Sequence, residues 1–327
     1  MSRLRRLCLV VLVATACHAP MSVVAAAGPV ARSLSHLTWV LIVASAVVFG
    51  VVVVLMWAAV MRRPTTDAAV DLTPRSARIP IVGGAIIPAV ILLALFLVSV
   101  LSERQYPVET RVSAQVFTVI GHQWWWEIHT ADSGAAFANE LHVPVGQVIE
   151  VRLLSADVIH SFWMPTLHGK IDLIPGDTNR IRLIADKPGV YRGQCAEYCG
   201  LQHANMAFTV VADAPDTYLR WLASQQQNAA PPADSLQRAG AALVTAGRCA
   251  VCHTIRGTPA RGMVGPDLTH VGSRLTLAAG TLPNNAAAME AWITNAPSLK
   301  PGTGMPALPQ FSGMELRAMT AYLEGLH

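Results

Sequence analysis

At 327 residues the chain is longer than one ordinary domain, and with 13% charged and 53% hydrophobic residues it lacks the make-up of a wholly soluble protein. A formal net charge of +4 is no basic surplus of the kind that binds nucleic acid, so a nucleic-acid partner is not expected. A membrane partner is.

The first 27 residues read as an export signal: Arg3, Arg5 and Arg6, an apolar run from Leu7 to Ala16, then Ala25-Ala26-Ala27 as a small-residue cleavage site that would make Gly28 the mature start. Ala14-Thr15-Ala16-Cys17 offers a second, lipoprotein-type processing site, although it lacks the usual apolar residue at its start. Residues 28–107 form a transmembrane hairpin. Two uncharged stretches, with helices expected over about 35–61 and 79–102, each exceed the ~20 residues that cross a ~30 Å hydrocarbon core. Arg62, Arg63, Arg75 and Arg78 outnumber Asp67 and Asp71 in the link between them, which puts the link in the cytoplasm and everything after it on the outer side of a bacterial plasma membrane.

Residues 108–223 are expected to form an antiparallel β sandwich or barrel. Runs such as Val148-Ile-Glu-Val-Arg-Leu153 nearly alternate apolar with polar, and Val143-Pro-Val-Gly146, Ile174-Pro-Gly-Asp177 and Lys187-Pro-Gly189 punctuate them. The loop Gln194-Cys-Ala-Glu-Tyr-Cys-Gly-Leu-Gln-His-Ala-Asn-Met206 then concentrates Cys195, Cys199, His203 and Met206, with His160 lying 35 residues before Cys195. Thiolate, thioether and imidazole together favour copper, and a distant His before a compact Cys, His and Met loop is the ligand order of a cupredoxin. Two cysteines in place of one allow two thiolates to bridge two copper ions. In an oxidising compartment a disulfide between them is the plain alternative. Structural zinc is a second, against which the methionine counts.

Residues 224–234, Ser-Gln-Gln-Gln-Asn-Ala-Ala-Pro-Pro-Ala-Asp, have the small, polar, proline-rich composition of a linker. Residues 235–327 are expected to be all-α, with helices at Ser235 to Ala246, Ala286 to Asn295 and Gly313 to Leu326. Here Cys249-Ala-Val-Cys252-His253 is the haem c attachment pattern, two thioethers and a proximal iron ligand. A thioredoxin-like reading of the same cysteines needs a βαβ setting that the segment lacks. The helical domain resembles a class I cytochrome c. That resemblance places the second iron ligand at Met305, in the turn-rich Gly302-Thr-Gly-Met-Pro306, ahead of Met263, Met289, Met314 and Met319. It also has Pro266 orient the proximal histidine through its carbonyl. His122, His129, His142, His168 and His270 read as structural.

Together Gly121-His-Gln-Trp-Trp-Trp126, Val158-Ile-His-Ser-Phe-Trp163, Ile174-Pro-Gly-Asp177 and the 194–206 loop resemble subunit II of haem-copper cytochrome c oxidases, across both transmembrane helices and the β domain. The resemblance implies a dinuclear CuA centre on His160, Cys195, Cys199, His203 and Met206, with the backbone carbonyl of Glu197 as a further ligand and its carboxylate reaching a magnesium ion. It implies that Trp124 receives electrons from cytochrome c. It also implies subunit I, and with it subunit III, as partners, dioxygen reduction residing in subunit I. Electrons would then pass from cytochrome c through haem c and CuA to subunit I. The electron-input subunit of a CuA-type nitric oxide reductase is the alternative. One departure stands out: the family's carboxylate early in the second helix, associated with proton uptake, has no counterpart in Arg78-Ile-Pro-Ile-Val-Gly-Gly-Ala85.

Residues 103–230 carry 9 basic and 13 acidic side chains and residues 234–327 carry 7 and 5, so the acidic β domain is suited to attract either a basic external cytochrome or the mildly basic attached domain.

Overall fold

In the computed structural model, residues 21–62, 78, 80–103, 113, 115–131 and 135–327 are described. The signal segment up to residue 20, and Arg63, Asp67, Asp71 and Arg75 of the charged link, lie outside them.

Helix α1 (Pro29–Met61) and helix α2 (Ile87–Glu103), which a π-helical turn over Val82–Ile86 precedes, are each long and apolar enough to cross a membrane. Large side chains such as Phe49 and Val60 on α1 and Phe96 on α2 are exposed, the arrangement a lipid solvent favours and water does not. Hydroxyls within the helices are satisfied locally: Thr38 Oγ1 donates to the Leu34 carbonyl at 2.8 Å and Ser99 Oγ to that of Leu95 at 2.9 Å.

The β domain is a two-sheet sandwich. One sheet orders β3 (Ala136–Ala138), β2 (Trp125–Thr130), β1 (Gln115–His122), β5 (Ile149–Ser155) and β8 (Asn179–Leu183); the other orders β4 (Glu140–Pro144), β10 (Ala207–Asp213), β9 (Gly189–Cys195), β6 (His160–Trp163) and β7 (Ile171–Leu173). Alternate residues face inward, so Phe117, Val119, Trp126 and Ile128 of one sheet meet Leu141, Phe162, Phe208 and Val210 of the other, all fully buried. Trp126 sits edge-on to Phe162 and Phe208 with centroids at 5.5 and 5.2 Å, and those two phenylalanines stack at 4.0 Å. Within the expected antiparallel sandwich, β1 with β5 and β4 with β10 run parallel. The chain leaves β2 and β3 for the second sheet as β4 and only then returns beside β1, so its direction is set by that crossing. Alternation in sequence carries no information about strand direction.

The sequence reading has no helix where α3 (Pro215–Gln225) forms. Pro215 opens it at the position that needs no amide donor, and Asp216 complements its first turn. Tyr218 and Trp221 pack it onto the sandwich, the indole of Trp221 stacking on His142 at 4.0 Å. The stretch expected as a free linker is bonded to the helical domain beyond it. Arg256 Nη2 donates to the Gln225 carbonyl at 2.5 Å, the Ala229 amide to that of Arg256 at 3.0 Å, and His270 Nε2 lies 3.2 Å from the Gln227 carbonyl. Composition foretold the lack of regular structure there, which is not a lack of contacts.

In the C-terminal domain α4 (Ser235–Thr245) is capped by Asp234, α6 (Ala286–Leu299) by Asn285, and α7 (Gly313–Glu324) by a reciprocal Ser312 and Glu315 box. Helix α6 runs past its expected end at Asn295 through a kink there, two residues before Pro297. A short helix α5 (Cys249–Cys252) carries the attachment motif, and a two-residue hairpin, β11 (Thr276–Leu277) with β12 (Leu282–Pro283), is added to the otherwise helical fold.

Candidate metal centres

Strands β6 and β9 deliver the first centre. His160 opens β6, Cys195 closes β9, and the intervening turn brings the chain back so that the Cys195 amide donates to the Met206 carbonyl at 2.9 Å. Within that closure Cys195 Sγ lies 3.8 Å from Cys199 Sγ and 3.9 Å from His160 Nδ1, while Cys199 Sγ lies 3.7 Å from His203 Nδ1 and 3.8 Å from Met206 Sδ. The Glu197 backbone carbonyl is 3.2 Å from Cys195 Sγ. His160, Cys195, Cys199 and Met206 are all at or below 3% exposure. The sulfurs are too far apart for a disulfide, which needs about 2 Å, and the cysteines are free. Two thiols, two imidazoles, a thioether and a carbonyl converging at one place fit a soft metal such as copper and suit zinc poorly.

The two thiols and the His160 imidazole are electrostatically coupled. Hydrogen bonding between the two sulfurs holds the Cys195 thiol far below its ordinary value and pushes that of Cys199 up, so the pair shares a proton. Burial disfavours the charged form of His160, but Cys195 and Asp157 outweigh it and raise its pKa. Asp157 Oδ1 holds His160 Nε2 at 2.7 Å, leaving Nδ1 toward the sulfur. Nothing in the sequence reading singled out Asp157; its place three residues before the histidine was the available signal.

The three tryptophans part company. Trp126 is in the core, Trp125 stacks on His122 at 4.5 Å, and Trp124 donates from Nε1 to the Cys199 carbonyl at 3.0 Å. The Glu197 carboxylate is exposed and meets Lys170 Nζ at 3.5 Å. Among the described residues, acidic groups do not gather with it into a cation site. The five histidines expected to be structural have partners of their own: Glu127 for His122 and His129, Glu140 and Asp213 for His142, the Gly169 carbonyl for His168, and the His327 carbonyl for His270.

The second centre surrounds a cavity of about 340 Å³ lined by Cys249, Cys252, His253, Pro266 and Met305, with Trp124 and Trp125 also on its wall. His253 Nδ1 donates to the Pro266 carbonyl at 2.8 Å, which fixes the tautomer and leaves Nε2 as the basic nitrogen. Burial lowers the pKa of His253 against the pull of that carbonyl, so the ring is held neutral, as ligation requires. Gly265 is confined to glycine by this ring: a Cβ there would lie 2.6 Å from its Cε1. Of the five methionines, Met263 and Met314 are exposed and Met289 and Met319 are buried in helix packing, while Met305 lines the cavity together with both cysteines and His253. The residues fit a haem bound through two thioethers.

Residues 133–213 match the family model for the periplasmic domain of cytochrome c oxidase subunit II, and residues 237–327 match that for cytochrome c. Cytochrome c oxidase subunit 2 of Alkalihalophilus pseudofirmus is 40% identical over 208 residues, covering 64% of this chain and 60% of that protein. The subunit of the same name from Aedes aegypti is 30% identical over 166 residues, 43% of this chain and 70% of that one. The periplasmic domain of subunit II of cytochrome oxidase from Bradyrhizobium japonicum is 31% identical, with a TM-score of 0.35, over 36% of this chain and 96% of that structure. The alignment to the first of these relatives thus spans three-fifths of its length. By its match to relatives across two kingdoms of life and by a family model over the domain that carries the cysteine loop, the chain belongs to the cytochrome c oxidase subunit 2 family.

Proposed function

We propose that the chain is the electron-input subunit of a membrane-bound cytochrome c oxidase, receiving electrons from a cytochrome c or similar donor and passing them to an oxygen-reducing subunit I. The observation that carries this reading is the convergence of buried Cys195, Cys199, His160 and Met206 with the partly exposed His203, on a chain that also holds a haem-attachment motif. When bound, a dinuclear copper centre on those residues and a haem c on Cys249, Cys252, His253 and Met305 would supply one-electron redox chemistry.

The chain's own residues prepare both sites. Asp157 orients His160 and Pro266 orients His253, so each ring offers a single nitrogen inward. Trp126 packs edge-on to His160 with ring centroids 6.0 Å apart, and the sheet scaffold resists rearrangement when charge changes. Trp124, bonded to the Cys199 carbonyl and standing on the wall of the haem cavity, is the side chain between the two sites. Two passes through a bacterial plasma membrane with both centres on the outer side, and subunits I and III as neighbours, complete the reading. A role for Glu197 toward magnesium belongs to the contact with subunit I.

Spectroscopy of the purified, metal-replete complex tests it. A mixed-valence copper pair gives a seven-line hyperfine pattern in EPR, and haem c a sharp α-band on reduction; absence of the copper signal would sink the proposal. Removing residues 234–327 should slow turnover with an external donor by roughly tenfold or more, because an attached donor acts at high effective concentration. Unchanged turnover would mean that the external donor reaches the copper domain directly.

A further inference from the structure

The seam between the β domain and the helical domain contains a buried ammonium group with no carboxylate partner among the described residues. Lys300 is 3% exposed. Its Nζ donates to the carbonyls of Trp124 at 2.8 Å and Asn205 at 2.8 Å, both in the β domain, and to that of Ala278 at 2.9 Å in its own domain. All three N–H groups are thereby used. An ammonium leaves water at a cost of several kcal/mol unless every donor is met, so this lysine is tolerable in its position only when both domains present their carbonyls together.

The backbone around it is shaped for the same contact. Ala278 and Ala279 both take left-handed conformations, φ 52° and 57°, which alanine avoids. The strain turns the Ala278 carbonyl to Lys300 and the Ala279 carbonyl to the Ala207 amide, 3.0 Å away across the seam. Gln202 Nε2 donates to the Pro301 carbonyl at 3.0 Å, and the Leu275 amide to Glu140 Oε2 at 3.0 Å. Gly302, at φ 86°, lies flat on Trp124: a Cβ there would be 3.1 Å from the outer edge of the indole. The loop that carries Met305 thus begins at the lysine and runs over the tryptophan.

We propose that Lys300 is a positioning residue that seats the C-terminal domain in one fixed pose on the copper-loop face, and that this pose closes Trp124 to any separate redox protein. The partner of that face is residues 274–304 of the same chain. An external donor then delivers to the C-terminal domain and not to Trp124; this last step rests on the function proposed above, whereas the seating does not.

Hydrogen exchange read by mass spectrometry on the full-length protein tests the seating without reference to activity. In wild type the Leu275 and Ala207 amides, which donate across the seam, should exchange slowly; Lys300→Met should make both exchange roughly tenfold faster or more. The Ile255 amide, bonded to Ala260 within the C-terminal domain, should be unaffected. Equal exchange of Leu275 and Ala207 in the two proteins overturns the proposal. Should Lys300→Met also loosen Ile255, and so unfold the domain, hydroxyl-radical labelling of wild type decides: Trp124 protected and Trp125 labelled supports the seated pose, both labelled refutes it. In the loaded complex, photoinduced electron transfer between the two centres should be independent of viscosity in wild type and slowed by added viscogen in the variant, because an unseated domain has to diffuse back. Viscosity-independent transfer in both counts against a positioning role. Loss of either spectral signature in wild type would indict the functional reading alone.

Discussion

The two sulfur-and-imidazole clusters are built on opposite plans. The cysteine loop of the β domain gathers its side chains directly: His160 and Cys195 come from two paired strands, Cys199, His203 and Met206 from the loop that follows, and neighbouring groups lie 3.7 to 3.9 Å apart. The attachment motif of the helical domain borders a cavity. Its cysteines are half-exposed on a four-residue helix, and the cavity they border is large and mostly apolar. One scaffold gathers its candidate ligands by direct contact; the other distributes them around the wall of a cavity.

That contrast can be broken most severely at the haem motif. Replacing Cys249 and Cys252 together by serine should abolish covalent haem and with it the cooperative melting of the C-terminal domain, while the β domain keeps a separate transition within a few degrees of wild type. A calorimetric trace in which both transitions vanish, or neither, would show that the two domains do not differ as described. Next in size, Asp157→Asn should lower copper affinity by roughly 10- to 100-fold, the usual effect of removing a group that orients a ligating histidine. The β domain's circular dichroism should stay unchanged, because the cluster does not hold the sheets together. Competition with a chelator measures it.

The smallest effect lies on β2, in the other sheet of the sandwich. Hydrogen bonds from His122 and then His129 hold the Glu127 carboxyl at about 2 against burial, from an ordinary 4.5. A carboxylate with a depressed folded-state pKa contributes stability that is complete above its unfolded value and is lost as pH falls through the folded one. Glu127→Gln should therefore cost about 1 kcal/mol at neutral pH, discounted for partial exposure, and the difference from wild type should shrink from about pH 4.5 down to 2. Urea melts across that range would show it; a pH-independent difference would assign the effect to packing.

What could be read in advance follows the same division between local and distant. The cysteine loop was legible because four of its side chains fall within twelve residues and their chemistry is unusual together. The haem motif is five residues long and carries its own meaning. Asp157 and Lys300 were not legible, since each acts through partners that only the fold brings near, Lys300 through carbonyls 176 and 95 residues away in sequence. A lysine in Leu299-Lys300-Pro301-Gly302 reads as a solvated turn residue. The parallel pairing of β1 with β5 was likewise hidden, because alternation reports which face is buried and not which way a strand runs. Helix α3 escaped notice because Pro215 and Asp216 resemble a turn when the apolar face that follows is only Tyr218, Trp221 and Leu222.

The bonded stretch after that helix bears on how such chains can be recombined. By composition, residues 224–234 are where one would cut to exchange the C-terminal module for another. Yet Trp221 belongs to the sandwich core and the Gln225, Gln227 and Ala229 backbone to the domain beyond. A graft joined at 234 would part Arg256 and His270 from the segment that supplies their acceptors, so a working chimaera has to take residues 225–234 and the helical domain from one parent.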